Sequence, residues 1–485
     1  MLTYSFTNTG SDSLYEYLYK CVKNDIVQGT IGVGEKLPSK RSFAKNLGIS
    51  VITVENAYEQ LIAEGYIYSI PKRGFYVTDF KNELIKESGP VKEELISLTD
   101  GKNSYLADFT SNQTASEIFP FTIWTKTVRE VLNDSRIQLM TNPPCGGIMP
   151  LREAISDYLK EFRGMRVSPE QIVIGAGTEY LYGLLIQLFG SQLVYAVENP
   201  GYRKIAKIYE SMKVSCKYID IDEMGVCVPQ LAEKGVDIVH ISPSHHFPTG
   251  IVMPISRRYE LLGWASAEKD RYIIEDDYDS ELRLSGKPIP TLQSIDVSGK
   301  VIYMNTFTKT LASTVRISYM ILPRPLISEF YRRLSFYSCT VSNFEQYTLA
   351  RFLKNGSFEK HINRLRNYYQ CKRDAIFEAF GQSKIKKYIS IQGEEAGVHF
   401  LMHVNTEKTE DEFMAQVKAK GVKLASLSEY YHHNSFADHR NHYVMNYSSI
   451  DVGNVGKAVD ILYSAVDNNG VRHAEEVPYN KLRDL

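Results

Sequence analysis

Short apolar runs alternate with longer amphipathic stretches over most of this 485-residue chain. The apolar runs end in Gly, Pro, Ser, Thr or Asp, which favour turns, and the stretches between them repeat apolar residues at helical spacing. This alternation predicts a mostly parallel sheet that is covered by helices. The candidate strands are residues 171–174, 193–197, 237–241, 272–275 and 301–305.

Three blocks follow from the distribution of apolar and charged residues, as expected for a chain too long for one ordinary domain. Residues 11–78 alternate short helical patterns with turns and end in a small hairpin. Residues 79–106 are rich in Lys and Glu and poor in large apolar groups, which favours a linker. Residues 107–470 carry the alternating pattern of strands and helices.

The composition restricts where such a chain works and what it binds. The net charge is −1, so a nucleic-acid site must be a local basic patch. The six cysteines lack paired spacing, which predicts free thiols in a reducing cytoplasm. The sequence has no run of about 18 apolar residues and no apolar N-terminal signal core, so we expect neither a membrane span nor export.

The first block has the pattern of a helix-turn-helix followed by a two-stranded wing. Ser39 and Ser50 stand where N-caps of two helices are expected, and the second helix, 51–64, has one apolar face. The early residues of this helix suit base edges in the major groove, and nearby Lys and Arg suit phosphates. A small helical interaction domain is the alternative. The predicted contacts to DNA are Lys40, Arg41, Ser50, Thr53, Asn56, Lys72 and Arg73.

A single lysine, Lys309, lies in a hydroxyl-rich turn that follows the last candidate strand. Its amine can attack an aldehyde and form a Schiff base. Thr306, Thr308 and Arg316 offer donors and positive charge to a phosphate. Pyridoxal phosphate combines an aldehyde with a phosphate, so the segment predicts a site for this cofactor. The alternative is a solvated loop lysine.

The acidic run 275–281, which ends another strand, fits the same cofactor. A buried carboxylate that faces the pyridine nitrogen would keep the ring protonated and electron-withdrawing. We assign this role to Asp276 and place Tyr278 near the ring hydroxyl. Helix caps or a metal site are the alternatives for these carboxylates, but histidines at ligand spacing are missing nearby.

Two further strand-end turns, and one pair of histidines, bear on the site. Gly177 and Thr178 open a helix whose free N–H groups suit a phosphate. Tyr202 follows another strand and could stack on a flat ring, although core packing is the usual place of such a tyrosine. The adjacent His245 and His246 should diverge, so we predict no metal site.

The string GEKLPSKRSFAKNLGISVITVENAYEQLIAEGYIY, with KRGFYV after it, resembles the winged-helix domain of GntR-type bacterial repressors. The resemblance covers nearly all of residues 11–78. These repressors usually carry a DNA-contacting arginine directly after the turn serine, whereas this chain has Val51.

The strings SHHFPTGIVMPISRRYELL, YIIEDDYDSEL and TFTKTLASTVRISYMILP resemble fold-type I aminotransferases. Their fusion to a GntR-type head resembles the MocR family of bacterial transcription regulators. The resemblance implies an α/β fold: a winged helix-turn-helix domain plus an aminotransferase-like domain with a smaller C-terminal α+β subdomain at about 335–470. It also implies a cytoplasmic homodimer in which each head crosses to the body of its partner.

The same resemblance implies a regulator that binds operator double-stranded DNA and pyridoxal 5'-phosphate. Its effector would be the cofactor itself, or an amine or amino acid that forms an aldimine in place of Lys309. The alternative is an active aminotransferase with an accessory DNA-binding domain.

The chain departs from the aminotransferase pattern at positions that matter for substrate binding. Phe247 replaces an asparagine that tunes the ring hydroxyl, and Ser449 stands about where a carboxylate-binding arginine is usual. No arginine lies between Arg440 and Arg472. We therefore favour the cofactor as the signal.

Overall fold

A computed structural model describes residues 2–6, 12–79, 105–284, 289–393, 397–432 and 440–466. The chain divides into two compact units, residues 1–101 and 102–485. The linker predicted at 79–106 falls almost wholly on residues 80–104, which lie outside the described residues. Among the residues with described structure, none of the helices has the length and apolar character that crossing a membrane requires.

The first unit is a helix-turn-helix with a wing, as predicted. Its elements are α1 (Leu14–Gln28), α2 (Lys40–Leu47), α3 (Val51–Ala63), β1 (Ile67–Ile70) and β2 (Gly74–Val77). The helix α3 begins at Val51 because the Ser50 side chain accepts the Thr53 N–H and so caps the helix. The apolar side of α3, with Tyr58 and Leu61, is buried in the core of this unit.

The second unit is built on a mixed sheet of mostly parallel strands. Its first strands are β3 (Ala107–Asp108), β4 (Ile172–Ala176), β5 (Val194–Asn199), β6 (Ser215–Asp222), β7 (Gly225–Val226), β8 (Ile238–Ile241), β9 (Tyr272–Asp276), β10 (Val301–Thr306) and β11 (Ile317–Ile321). Within the described ranges, β4 to β11 form one sheet in the order β4-β11-β10-β9-β8-β5-β6-β7. The strands β10, β9, β8, β5 and β6 pair in parallel, whereas β11 and β7 are antiparallel to their neighbours.

Helices cover both faces of this sheet. The helices of this part of the chain are α4 (Phe121–Asp134), α5 (Arg136–Leu139), α6 (Met149–Arg163), α7 (Thr178–Phe189), α8 (Arg203–Ser211), α9 (Val228–Glu233), α10 (Ile255–Ser266), α11 (Leu292–Ile295) and α12 (Arg324–Leu334). Successive residues of a strand point to opposite faces. Accordingly, Ile273 of β9 packs in a cluster with Trp264 of α10, while Ile274 packs in a second cluster with Tyr182 of α7.

The C-terminal part is a smaller α+β subdomain, as predicted. Its helices are α13 (Asn343–Lys354), α14 (Ser357–Gln382), α15 (Glu410–Ala419) and α16 (Val455–Ala465). Its strands are β12 (Ile389–Gln392), β13 (His399–Val404), β14 (Val422–Lys423), β15 (Ala425–Ser426) and β16 (His442–Asn446). In the described part of the chain, β12, β13, β16 and β15 form an antiparallel sheet, and β14 pairs with β3.

Candidate functional site

A cavity of about 300 Å³ lies at the carboxyl ends of β5, β8, β9 and β10. Ligands of open α/β sheets bind at this edge, because the loops that leave the parallel strands converge there. All of the predicted cofactor residues except Gly177 line the cavity: Lys309, Asp276, Tyr278, Tyr202, Thr178, Thr306, Thr308 and Arg316.

Lys309 lies in the turn between β10 and β11, and its amine is held towards the cavity. The Nζ donates to the main-chain oxygen of Asn112 at 3.1 Å. Burial lowers the pKa of Lys309 to about 8, and the nearby carboxylate of Asp279 only partly opposes this shift. A half-buried lysine in this setting offers a larger share of neutral, nucleophilic amine at neutral pH than a solvated lysine does.

Asp276, the last residue of β9, presents a buried carboxylate to the cavity. Its Oδ2 accepts the hydroxyl of Tyr182 at 2.8 Å and lies 3.5 Å from Nε2 of His240. The His240 ring is in turn bonded through Nδ1 to the Tyr209 hydroxyl at 2.8 Å. The other carboxylate oxygen of Asp276, Oδ1, has no hydrogen-bond partner in the structure. One carboxylate oxygen is thus fixed, and the other can accept a hydrogen bond from a ligand.

A second region of the cavity combines hydroxyl groups with an arginine. The Thr306 hydroxyl donates to that of Thr308 at 2.8 Å, and Arg316 lies across the same cavity. Gly177 lies next to this arginine at the start of α7, with φ 93°. A side chain at Gly177 would collide with the Arg316 guanidinium, so the glycine leaves the space that this group occupies.

Glu179 forms ion pairs with both Arg316 and Lys204 at this end of the cavity. Partial burial by itself would raise the pKa of Glu179, but the two cations outweigh it, and the net shift is downward. The glutamate is therefore ionised at neutral pH and competes with any anion for Arg316. Glu179 was not among the site residues predicted from the sequence.

Aromatic side chains, among them Tyr202, Phe247 and Tyr278, also line the cavity. The Tyr202 ring is half exposed and meets the Phe247 ring edge-on, with centroids 5.8 Å apart. The Tyr278 hydroxyl lies 3.3 Å from Nδ1 of His245, which is also bonded to Asp279 at 2.7 Å. Burial first, and the neighbouring carboxylates second, raise the pKa of Tyr278 well above its usual value.

His246 and His245 bond to different partners. The Nδ1 of His246 is bonded to the Thr249 hydroxyl at 2.7 Å, and its Nε2 lies 3.6 Å from Glu198. Burial lowers the pKa of His246 to about 3 and raises the pKa of Glu198 to about 8. Both side chains are thus mostly neutral at pH 7. No group of three or more His, Cys, Asp or Glu residues suited to a metal ion occurs in the part of the chain that the structure describes.

Uncharged groups lie where the resemblance to aminotransferases places a carboxylate-binding arginine. The Asn446 amide donates to the side chain of Asn112 at 3.0 Å and also accepts the Ser448 N–H at 2.9 Å. Ser448 is buried, whereas Ser449 is exposed. This segment therefore supplies amide and hydroxyl groups but no cation.

In the first unit, the predicted DNA contacts lie on the exposed side of the helix-turn-helix and at the tip of the wing. Arg41 and Asn56 are exposed on α2 and α3, and Lys72 and Arg73 are exposed in the turn between β1 and β2. The other three already make contacts within the protein. Lys40 forms an ion pair with Glu55 at 2.6 Å, and the hydroxyls of Ser50 and Thr53 bond to each other at 2.7 Å.

Several residues of the cavity were missed by the sequence analysis: Asn112, Glu179, Tyr182, Glu198 and His240. One helical turn separates Thr178 from Tyr182, so the helical spacing of α7 was a usable signal for this tyrosine. Asn112 lies 197 positions before its partner Lys309, and no local pattern connects them.

Comparison with known families agrees with this two-part architecture. Residues 14–77 match the family described as bacterial regulatory proteins of the gntR family. Residues 106–436 match the family described as aminotransferase class I and II. The chain therefore belongs to the aminotransferase class I and II family and, through the fused DNA-binding domain, to the MocR-type transcription regulators.

Similar proteins include regulators and enzymes. The uncharacterized HTH-type transcriptional regulator YdeL of Bacillus subtilis is 40% identical, over 87% of this chain and 90% of its own length. The HTH-type pyridoxine biosynthesis transcriptional regulator PdxR of Corynebacterium glutamicum is 28% identical, over 86% of this chain and 89% of its own. A crystal structure of the kynurenine aminotransferase of Pyrococcus horikoshii is 26% identical, with a TM-score of 0.66 over 75% of this chain and 91% of that one.

Proposed function

We propose that this transcription regulator binds pyridoxal phosphate in the cavity, with Lys309 as the point of attachment. The observation that carries the proposal is the placement of the Lys309 amine and the unpartnered oxygen of Asp276 around one cavity. Aminotransferases of class I and II use this cofactor, which supplies a reactive aldehyde and an electron-withdrawing ring when it is bound.

Several side chains that line the cavity would hold the cofactor. Asp276 accepts a hydrogen bond from the ring nitrogen through its free oxygen, and Tyr182 and His240 hold the carboxylate in place. Tyr202 packs against the ring, and Tyr278 donates to the ring hydroxyl. The phosphate is held by main-chain N–H groups at the start of α7, beside Gly177, and by four side chains: Thr178, Thr306, Thr308 and Arg316.

The output of this site is a change in DNA binding by the winged helix. A ligand can shift such an equilibrium only if it binds one state of the protein better than another. Two effectors fit: the cofactor itself, or an amine or amino acid that displaces Lys309. Asn446 and Ser448 themselves offer no cation to clamp an amino-acid carboxylate, and the nearby Lys372 amine already donates to the Ser448 main-chain oxygen at 3.1 Å. This arrangement favours the cofactor as the effector.

We further propose a homodimer that binds operator double-stranded DNA in the bacterial cytoplasm, with each DNA-binding unit crossing to the body of its partner. An apolar surface supports the self-association. Ile137 and Met140 are 82% and 80% exposed, and Phe344 is exposed at the start of α13 nearby. The Asn343 side chain joins α13 to the main chain of Gln138 and Thr141, which brings the three together. Apolar surface of this kind usually marks an interface.

A spectral titration tests the cofactor site. Purified full-length protein is freed of cofactor, titrated with pyridoxal phosphate and followed by visible absorbance, in the wild type, in Lys309→Ala and in Lys360→Ala. Lys360 is an exposed lysine of α14 and serves as the control. We expect a saturable new band in the wild type and in Lys360→Ala but not in Lys309→Ala. A band of equal strength in Lys309→Ala would overturn the assignment of the lysine.

An active aminotransferase is the second candidate function, because two thirds of the chain match that enzyme family. It predicts sustained turnover of an amino donor with a keto acid, at roughly 1–10 s⁻¹ as is ordinary for enzymes. The regulator predicts no such turnover, together with a DNA affinity that changes when the cofactor or an amine is added. Operator binding and turnover measured on the same preparation distinguish the two functions.

A further inference from the structure

The outward side of α3 begins with two exposed apolar side chains. Val51 is 41% exposed and Ile52 is 67% exposed, although the opposite side of this helix is buried. Neither residue belongs to the apolar core of the first unit. Large aliphatic side chains that stabilise a fold usually lie inside it. Their exposure as two neighbours in the first turn of this helix leaves an apolar surface that a partner outside the unit can cover.

The polar side chains beside these two residues already have partners within the protein. The Ser50 and Thr53 hydroxyls bond to each other at 2.7 Å, and Ser50 also caps the helix. The Glu55 carboxylate accepts from Lys40 at 2.6 Å. The first turn of α3 thus offers mainly aliphatic surface.

The charge around this apolar surface identifies the class of partner. Exposed basic residues lie on α2, before it, and at the tip of the wing: Lys36, Arg41, Lys45, Lys72 and Arg73. Such positive charge complements the phosphates of DNA. An apolar helix start between basic groups suits a base edge in the major groove better than the surface of a second protein.

We propose that Val51 and Ile52 recognise thymine through its C5-methyl group. Thymine displays a methyl group in the major groove, and aliphatic contact with it distinguishes this base from the others. The inference rests on DNA binding by the winged helix in the proposed function, and it adds which base the helix start selects. Each operator half-site should then contain one or two thymines that are recognised by apolar contact.

Removal of single methyl groups from the DNA tests this inference. Duplexes that bind full-length protein are first selected from a random library. Each thymine of a selected site is then replaced by deoxyuridine, which lacks only the C5-methyl group. We expect one or two replacements per half-site to weaken wild-type binding about three- to fivefold, as the loss of one buried methyl group predicts. Affinity is measured by fluorescence anisotropy at one salt concentration, because salt alone changes it.

Variants of the protein connect the methyl effect to the two side chains. Val51→Ala and Ile52→Ala should each bind the thymine site about three- to tenfold more weakly. In each variant, deoxyuridine at the matching position should have little further effect, since the contact is already lost. Ile62→Ala is the control, because Ile62 is 36% exposed near the other end of α3. It should keep both wild-type affinity and the full effect of deoxyuridine. Circular dichroism verifies that all variants fold.

The possible results distinguish a failure of thymine recognition from a failure of DNA binding by the winged helix. If selection enriches no sequence and no duplex binds, DNA binding by this unit is refuted, and the inference with it. If selected duplexes bind but are indifferent to deoxyuridine, thymine recognition alone is overturned. Alanine variants that bind like the wild type, or that keep the full deoxyuridine effect, also overturn it.

Discussion

At the scale of single residues, burial shifts the pKa of two ionisable groups of the cavity, Lys309 and Glu198. It lowers the pKa of Lys309 to about 8 and raises the pKa of Glu198 to about 8, because low polarity disfavours the charged form of either group. A lysine and a glutamate thus both have a larger neutral fraction at pH 7 than they would have in water. For Lys309, the neutral form is the nucleophile.

The pKa of Lys309 predicts how attachment of the cofactor depends on pH. The folded-state pKa lies below the usual value of lysine, so the neutral amine dominates above about pH 8 and the ammonium dominates below it. The rate of attachment should rise roughly tenfold per pH unit between pH 6 and 7.5 and level off above pH 8.5. Stopped-flow absorbance with cofactor-free protein measures this rate. A rate that still rises steeply at pH 10 would contradict a lowered pKa.

Glu179 is predicted to restrain the binding of anions, since it occupies Arg316 through an ion pair. Glu179→Gln should bind inorganic phosphate and pyridoxal phosphate about two- to fivefold more tightly, because a partly exposed ion pair is worth at most about 1 kcal/mol. Equilibrium titration of cofactor-free protein measures the change.

A matched control for this substitution is Glu329→Gln. Glu329 also bridges two cations, Arg332 and Arg333, but lies on α12 outside the lining of the cavity. The Glu329→Gln substitution should leave the affinity for phosphate unchanged. Weaker binding in Glu179→Gln would instead mean that the glutamate helps to orient Arg316.

At the scale of elements, the turn from β4 into α7 shapes the end of the cavity where we propose that the phosphate binds. Gly177 ends this turn with φ 93°, a conformation that other residues adopt only with strain. It also leaves the space that the Arg316 guanidinium occupies. The first N–H groups of α7 lie directly after it, where the positive end of the helix dipole favours an anion.

Gly177→Ala should weaken binding of pyridoxal phosphate at least tenfold, because the new methyl group would displace Arg316. The control is Gly164→Ala at the end of α6. Its φ is also positive, at 66°, but an added methyl group there meets no atom within 4 Å. Both variants should lose roughly 1–3 kcal/mol of stability from backbone strain, and only Gly177→Ala should lose affinity. Thermal unfolding and cofactor titration measure the two effects separately. Equal losses of affinity would assign the effect to strain.

At the scale of the whole molecule, a DNA-binding unit and an aminotransferase-like body are joined in one chain, and the proposed dimer couples two such chains. The exposed apolar surface of Ile137, Met140 and Phe344 is the feature of the body that supports self-association. The DNA-binding unit has a core of its own, separate from the cores of the body.

Charges placed in this apolar surface should break the dimer. The double substitution of Ile137 and Met140 by Asp should shift the protein from dimer to monomer in sedimentation velocity at micromolar concentration, because buried unpaired charges are strongly unfavourable. Val297→Asp is the control, since Val297 is fully exposed in a turn before β10. A double variant that stays dimeric would place the interface elsewhere.

Local patterns were sufficient to predict many of these features. The serine caps and apolar spacing predicted α2 and α3, and the alternation of apolar runs with turns predicted the parallel strands, with ends differing by one or two residues. Such features depend on residues that are close in sequence. The predicted roles of Lys309 and Asp276 stay predictions, although both residues line one cavity.

The sequence alone determined α2, α3 and five strands of the large sheet, because capping, turn chemistry and apolar spacing act over a few residues. It did not predict β6, β7 and β11 of the same sheet. Only the tertiary structure decided which groups surround the lysine and the aspartate. Asn112 and Lys309 are 197 positions apart, and Tyr182 and Asp276 are 94 positions apart. Their contacts arise from the packing of whole elements around the sheet, and they leave no trace in any short stretch of the chain. The same packing sets how deeply Lys309 is buried, and with it the pKa of its amine.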